Sequence, residues 1–442
     1  MAIASFIPFV QSTSDGAGEL IAAVDVGTSR VACAVAELRP GGLKVLAAES
    51  AASFGIRGGE IVDLKRAGEA IQIAIAAASD RADADVKTVV AGLSGDVRLS
   101  ITKAAMELDR EHRTVTAPDV ARLRNCLACD NGPGRRVIHR FDGPYSLGDL
   151  QGLERPEGLL GDRLEMQAAF LSMTGDRLDN LLRAIRAAHV EIEAVSLEPF
   201  SCSLGAMSEE ERRLGAAVLD FGAGAFRGAL WEGGRLRQIC VLGRENAKVQ
   251  SQSGHYLAPV GGMEGVVMAL ARRFRIAPAT AERLLKSHGA LGDEEPAAKA
   301  LPESVEVAAV DGLGSVRVET KELSRTLEEV LLPVARSLRE GLSGFSPGHS
   351  VGVVLTGGGA RIKGLPAWLT KRFGGAPVRL GTPRWELPEE TALPPEISGA
   401  TACSLYGLLL FGAQGRAELR DRRGRSFFGR VSGALRRLVA SL

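Results

Sequence analysis

The chain has 442 residues, 45% of them hydrophobic, 24% charged and 5% aromatic, with a net charge of +1. That length exceeds what one hydrophobic core supports, so two or more domains are expected. The near-neutral balance excludes a whole-molecule pull toward nucleic acid or an anionic surface, so any such attraction must be local and no nucleic-acid partner is expected.

The N-terminal residues are apolar but lack a basic flank, which argues against a signal peptide. No run reaches about 18 uninterrupted apolar residues, so no membrane-spanning helix is expected. A strand from Leu20 leads to Asp25, a tight turn at Gly27-Thr28-Ser29, and a second apolar strand, which reads as a β-hairpin. Leu64 to Ser79 has apolar positions at helical spacing. Thr116-Ala-Pro118-Asp119 reads as a helix start, with Thr116 as its cap. Cys126 and Cys129 form one CxxC with no second pair, and are read as structural thiols in one helix turn. The six scattered cysteines do not form a disulfide framework and fit the cytoplasm. Asp176 to His189 is helical, with Leu178, Leu181, Leu182 and Ile185 on one side.

Ala216 to Trp231 repeats the first hairpin's grammar: strand, Asp220, a turn at Gly222-Ala223-Gly224, strand. Two copies about half a chain apart suggest two related halves. Leu291 to Pro302 reads as a loop, Val305 to Val318 as a hairpin, and Thr320 to Leu342 as a helix with Pro333 as a kink or boundary. Val351 to Leu355 is a third strand, running into Thr356-Gly357-Gly358-Gly359-Ala360 and then a helix. Gly381 to Pro395 reads as a surface loop, and Gly412 to Gly424 as a polar, glycine-punctuated linker.

The three glycine turns share one physical logic. A phosphate needs several backbone N–H groups with no side chain in the way, and glycine permits both the approach and the positive φ. Thr28 and Ser29 add hydroxyl donors, and Asp25 or Asp220 at a strand end can hold a hydrated Mg²⁺. Two such hairpins face to face would clasp a triphosphate, with a nucleoside against the Gly357-Gly358-Gly359 backbone. Neither GxxxxGK[ST] nor GxGxxG is evident.

In this order the set resembles the phosphate 1, phosphate 2 and adenosine pattern of the actin and sugar-kinase superfamily. Phe54-Gly-Ile-Arg-Gly-Gly-Glu-Ile-Val-Asp63 resembles the GIRNGVVVD segment of FtsA proteins. Ser196 to Leu204, Ser208 to Gly215, Leu355 to Leu365 and Ala281 to Gly289 resemble that family's runs in the same order. The resemblance implies a two-lobed α/β actin-like fold with an FtsA-type 1C subdomain and a C-terminal amphipathic helix. It places an extension at 1–18, subdomain 1A at 19–96 and 176–212, 1C at 97–175, 2A at 213–255 and 330–415, and 2B at 256–329. A linker at 416–425 and a membrane helix at 426–442 follow. It further implies ATP and Mg²⁺ as ligands, with Gly27, Thr28, Ser29, Gly222, Gly224, Gly261, Gly262, Glu282, Lys286, Gly357, Gly358 and Gly359 at the nucleotide and Asp25 and Asp220 at the metal. The implied partners are FtsZ through 2B, further copies of the chain in filaments, other divisome proteins, and the inner face of the cell membrane at the division site.

The sequence departs from that family in places. Where FtsA proteins read close to D-I-G-G-G-T-T-D, this chain reads Asp220-Phe-Gly-Ala-Gly-Ala-Phe-Arg227, which removes both threonines and the second aspartate. The family's G-G-N is Gly261-Gly262-Met263, and its I-E-P-R is Leu331-Leu332-Pro333-Val334. Weak or absent ATP hydrolysis is therefore expected. A superfamily kinase is disfavoured, because no aspartate follows Asp220 within its turn to serve as a base. A pilus-assembly adaptor of the same fold is the other alternative.

The tail can be read on its own chemistry. Phe427, Phe428, Val431, Leu435, Leu438, Val439 and Leu442 recur at three- and four-residue intervals, with Arg430, Arg436 and Arg437 beside them. That is the pattern of a helix lying in a membrane interface. It is too short and too charged to span one.

Overall fold

The computed structural model describes residues 3–5, 19–39, 42–108, 113–129, 132–243, 261–292, 301–386 and 393–425; the side chains of 3–5 and 417–425 are outside the description. The chain divides into two compact bodies, one built around Asp96–Leu178 and the other around the remaining described residues from Glu19 to Gly95 and from Asp179 onward.

The first body is an antiparallel sheet in the order Ile3–Ser5, Arg135–Leu147, Arg163–Thr174, Arg98–Glu107, with Leu150–Leu153 folded back on the second strand. The helix Ala117–Cys126 supplies Val120 and Leu123 to a core that includes Leu164, Met166 and Phe170. Its start is the expected capping box, in which Thr116 and Asp119 satisfy each other's backbone. Asp119 is also gripped by both terminal nitrogens of Arg113, at 2.7 and 2.8 Å. The Arg113 hydrogen bonds, then those of Thr116, hold its carboxyl well below the usual carboxylate range. The helix ends at Cys126, so Cys129 lies beyond it rather than in the same turn. Neither thiol is in a disulfide.

The second body carries two five-stranded sheets of identical plan. In one the order is Gly42–Ala52, Arg30–Arg39, Leu20–Val26, Thr88–Leu93, Glu191–Leu197. In the other it is Arg235–Leu242, Phe226–Glu232, Ala216–Phe221, Gly352–Thr356, Val378–Leu380. Each begins as an antiparallel meander of three strands and continues with two parallel ones. The central strands, IleAlaAlaValAspVal and AlaAlaValLeuAspPhe, are buried along most of their length, as strands covered on both faces must be. Both have an aspartate as their next-to-last residue and run into a glycine turn, and the ends of central strands are where such sheets leave room for ligands.

Helices cover the sheets. Leu64–Ala82 begins at Asp63, whose carboxylate accepts from the Arg66 N–H. Glu198–Ala206 crosses Cys403–Arg425 at two glycines: a Cβ on Gly205 would collide with the Cys403 carbonyl, and one on Gly407 with the Ser201 carbonyl. Thr320–Gly341 runs uninterrupted through Pro333, so this proline is not a boundary. Leu327, Val330, Leu331, Val334, Ala335 and Leu338 bury its inner face, and that packing outweighs the one lost backbone bond.

The linker expected at 412–424 is not a linker. The helix Cys403–Arg425 passes through it. Gly412 is the contact point with Val90, whose Cγ2 would lie 2.8 Å from a Cβ there. Arg416 is buried, forms an ion pair with Glu193, and bonds the Leu20 carbonyl at 2.7 Å. Tertiary contact thus overrides the low helix propensity of glycine.

Candidate functional site

The two central strands deliver their turns to the same place. In the first, the Gly27 N–H donates to the Arg30 carbonyl at 3.0 Å and closes the turn. Thr28 Oγ1 accepts from the Gly59 N–H at 3.0 Å. Gly59 and Gly58, with φ of 82° and 61°, form the tight turn between Ile56–Arg57 and Glu60–Ile61. Gly224 of the second turn lies against both: a Cβ there would collide with Thr28 Oγ1 and stand 2.8 Å from Gly58 Cα. Glycine at 224 is therefore required by close approach. Ser29 is exposed at the rim, and its carbonyl accepts from the Ser53 N–H at 3.3 Å.

The second turn is also pinned from the other side. Gly261 caps the helix Gly262–Phe274, and the first amides of that helix donate back to the turn, Met263 N–H to Gly222 O at 2.9 Å and Glu264 N–H to Ala223 O at 3.0 Å. Gly262 has φ 59°, and a side chain there would strike the Ala223 carbonyl. In the third turn, Gly357, at φ 86°, abuts Asp220, and Gly359 abuts Met263, whose Sδ would be 2.7 Å from a Cβ at 359. Gly358 is exposed, and a Cβ on it would meet nothing within 4 Å.

Beneath the turns lies a knot of charge. Arg227 faces Asp220 across the paired strands Ala216–Phe221 and Phe226–Glu232. Its Nη1 lies 3.1 Å from Asp220 Oδ2 and 2.9 Å from Glu198 Oε2, and its side chain is only 4% exposed. Asp220 Oδ1 accepts from Thr356 Oγ1 at 3.4 Å. Arg30 donates to the Thr401 carbonyl at 2.7 Å and attracts Asp25, which also accepts from Ser404. Burial raises the carboxyls of Asp25 and Asp220 above the usual range against the pull of Arg30 and Arg227 respectively. Burial also lifts Glu198 to about 8, in spite of Arg227. For Arg227, burial acts to discharge it, but Glu198 and Asp220 together reverse the effect and hold it charged.

The structure therefore brings together Thr28, Gly222, Gly224, Gly262, Gly357 and Gly359, with Asp220 behind them. Glu282 and Lys286 are paired with each other at 2.7 Å on the exposed side of the helix Pro278–His288. Phe427, Phe428, Val431, Leu435 and Leu438 lie outside the described residues. Sequence reasoning missed Gly58, Gly59 and Glu198 as parts of this cluster. The segments holding them stood out only by resemblance, and nothing local in Leu197-Glu198-Pro199 signals that the carboxylate will meet a residue from another strand.

Two like sheets with glycine turns meeting between them define the class: an actin-like fold. Solved structures agree, among them the PilM–PilN type IV pilus biogenesis complex, with a TM-score of 0.59 at 16% identity over 89% of this chain and 98% of that one. The MreB5 protein of Spiroplasma citri bound to AMPPNP gives a TM-score of 0.54 at 14% identity over 91% and 98%. Within that class, the family model for cell division protein FtsA matches residues 217–402, and the model for the SHS2 domain inserted in FtsA matches 96–172. Cell division protein FtsA of Escherichia coli K12 is 27% identical over 83% of this chain and 84% of its own length. That of Agrobacterium fabrum is 25% identical over 98% and 96%. The chain belongs to the FtsA family.

Proposed function

We propose that this protein binds an adenine nucleotide between its two like sheets, assembles into filaments, and ties FtsZ to the inner face of the cell membrane at the division site. The observation that carries the nucleotide reading is the meeting of Thr28 with Gly224 and of Gly357 with Asp220, glycine turns from two sheets closing on one place beside an open Gly358. Backbone amides in such turns suit phosphate oxygens. The AMPPNP named with the like-folded MreB5 supports the same ligand class. Thr28, Ser29, Gly222 and Gly224 are assigned to the phosphates, Gly357, Gly358 and Gly359 to the nucleoside, and Glu282 with Lys286 to its outer edge.

FtsZ contact is assigned to the region 256–342 and membrane contact to the tail 426–442, both from family membership and, for the tail, from its amphipathic pattern. No helix among the described residues is long and apolar enough to cross a membrane. A single interfacial helix binds modestly, and assembly into filaments multiplies its hold. Titration calorimetry with ATP and co-sedimentation with an FtsZ tail peptide test the two halves separately. Absence of heat with ATP sinks the first, and absence of peptide binding by folded protein sinks the second.

A further inference from the structure

A divalent ion of the Mg²⁺ type takes oxygen ligands at about 2.0–2.1 Å in an octahedron, with one or two of them from carboxylates. The obvious donors here are Asp25, Asp220 and Glu198. Glu198, Cys202 and Asp220 even bring their ligand atoms within 4.8 Å of one another. Yet the donor set does not fit a divalent ion. Asp220 Oδ2 and Glu198 Oε2 converge on the same nitrogen, Arg227 Nη1, and Asp220 Oδ1 is engaged by Thr356. The gap between Asp220 and Glu198 is thus filled by a guanidinium, Asp220 Oδ1 faces Thr356 Oγ1 at 3.4 Å, and Asp25 is drawn to Arg30 and hydrogen-bonded by Ser404.

We infer that Arg227 is a built-in cation in the place of the divalent metal, so that this chain holds the phosphates of a nucleotide without a metal ion. The inference rests on the nucleotide reading above. Three observations support it. Nη1 stands 3.2 Å from where a Cβ on Gly222 would be, which puts the charge at the back of the turn assigned to phosphate. Arg227 sets one fixed positive charge between the two acids, in the gap that a metal bridging them would need. Finally, Arg227 Nε is buried with no hydrogen-bond partner among the described residues, which leaves the guanidinium a donor beyond the two carboxylates. Its planar fork can serve carboxylate and phosphate oxygens at once, as the point charge of a lysine does less well.

The test uses the full chain and ATP, titrated in excess Mg²⁺ and again in excess EDTA. The inference expects the dissociation constant to change by less than about threefold between the two, where a metal-bridged site would lose at least about tenfold. Arg227→Asp is expected to bind ATP only with Mg²⁺, and Arg227→Lys to stay metal-independent. Circular dichroism and melting establish that each variant is folded; the wild-type comparison stands without them. Tight binding of ATP by the wild type that vanishes in EDTA overturns the inference and leaves the nucleotide reading intact. No binding in either condition overturns both.

Discussion

Arg227 and Glu198, separated in sequence by a whole strand and two helices, are joined at 2.9 Å below the second glycine turn. Arg227 has therefore been accommodated by the site, through pairing with two acids, rather than merely lost from solvent. Removing one partner of such a buried pair is costly, because the other is left charged and dry.

Gly358 offers a clean probe of the ligand space. Because a Cβ there meets nothing within 4 Å, Gly358→Leu is expected to melt like the wild type. The same side chain would stand where the nucleoside is assigned, so calorimetry should register no ATP binding. Wild-type affinity in this variant would move the nucleoside elsewhere.

Gly262 answers to a different constraint. At φ 59°, with the Ala223 carbonyl against it, Gly262→Ala is expected to lose about 1–3 kcal/mol of stability. Denaturant unfolding measures this directly, and a change under half a kilocalorie would mean that the helix start can shift.

Two ion pairs should behave in opposite ways. Arg416 is buried with Glu193, so Arg416→Ala is expected to cost about 3–5 kcal/mol. Lys286 and Glu282 are both more than half exposed, so Lys286→Ala should cost at most about 0.5 kcal/mol while weakening ATP binding. Equal stability losses in the two variants would contradict the burial assigned to Arg416.

His139 gives the body around 96–178 an acid sensitivity. Burial depresses its imidazole from 6.5 to about 3. The unfolded chain then takes up a proton that the folded one refuses, so stability is full above pH 6.5 and falls as the pH drops toward 3. Near pH 5 the loss is expected to be about 2 kcal/mol, at 1.36 kcal/mol per pH unit. Melting curves of wild type and His139→Phe between pH 7 and 5 should converge on this difference; parallel curves would exclude His139 as the cause.

Deleting residues 426–442 is expected to leave the melting temperature unchanged and to abolish sedimentation with anionic liposomes. Retained sedimentation would place the membrane contact elsewhere.

Features encoded by neighbours in sequence were legible. The strand–aspartate–glycine hairpins at 20–39 and 216–232, and the capping box at Thr116, are local in chemistry and appear where the pattern put them. Features that depend on distant partners were not. The glycines after 403 look like punctuation until Gly407 meets Ser201 and Gly412 meets Val90. Pro333 looks like a helix end until Leu331 and Val334 are seen in the core. Arg227 is legible in the sequence as a positive charge that could replace a lost phosphate contact, but not its direction, because its two carboxylate partners are set by strand register and by the start of a distant helix.

The helix Cys403–Arg425 has a mechanical consequence for whatever follows it. Its 23 residues make a rod of about 35 Å, clamped along its N-terminal part by Gly407, Gly412 and Arg416. The described end of this helix, Arg425, therefore has a fixed azimuth about the rod. At 3.6 residues per turn, inserting one residue between 417 and 425 would swing the exit direction by about 100°, and inserting four would nearly restore it. If the proposed membrane contact lies in 426–442, liposome binding by filaments is expected to depend periodically on insertion length, and a flat dependence would exclude a rigid exit.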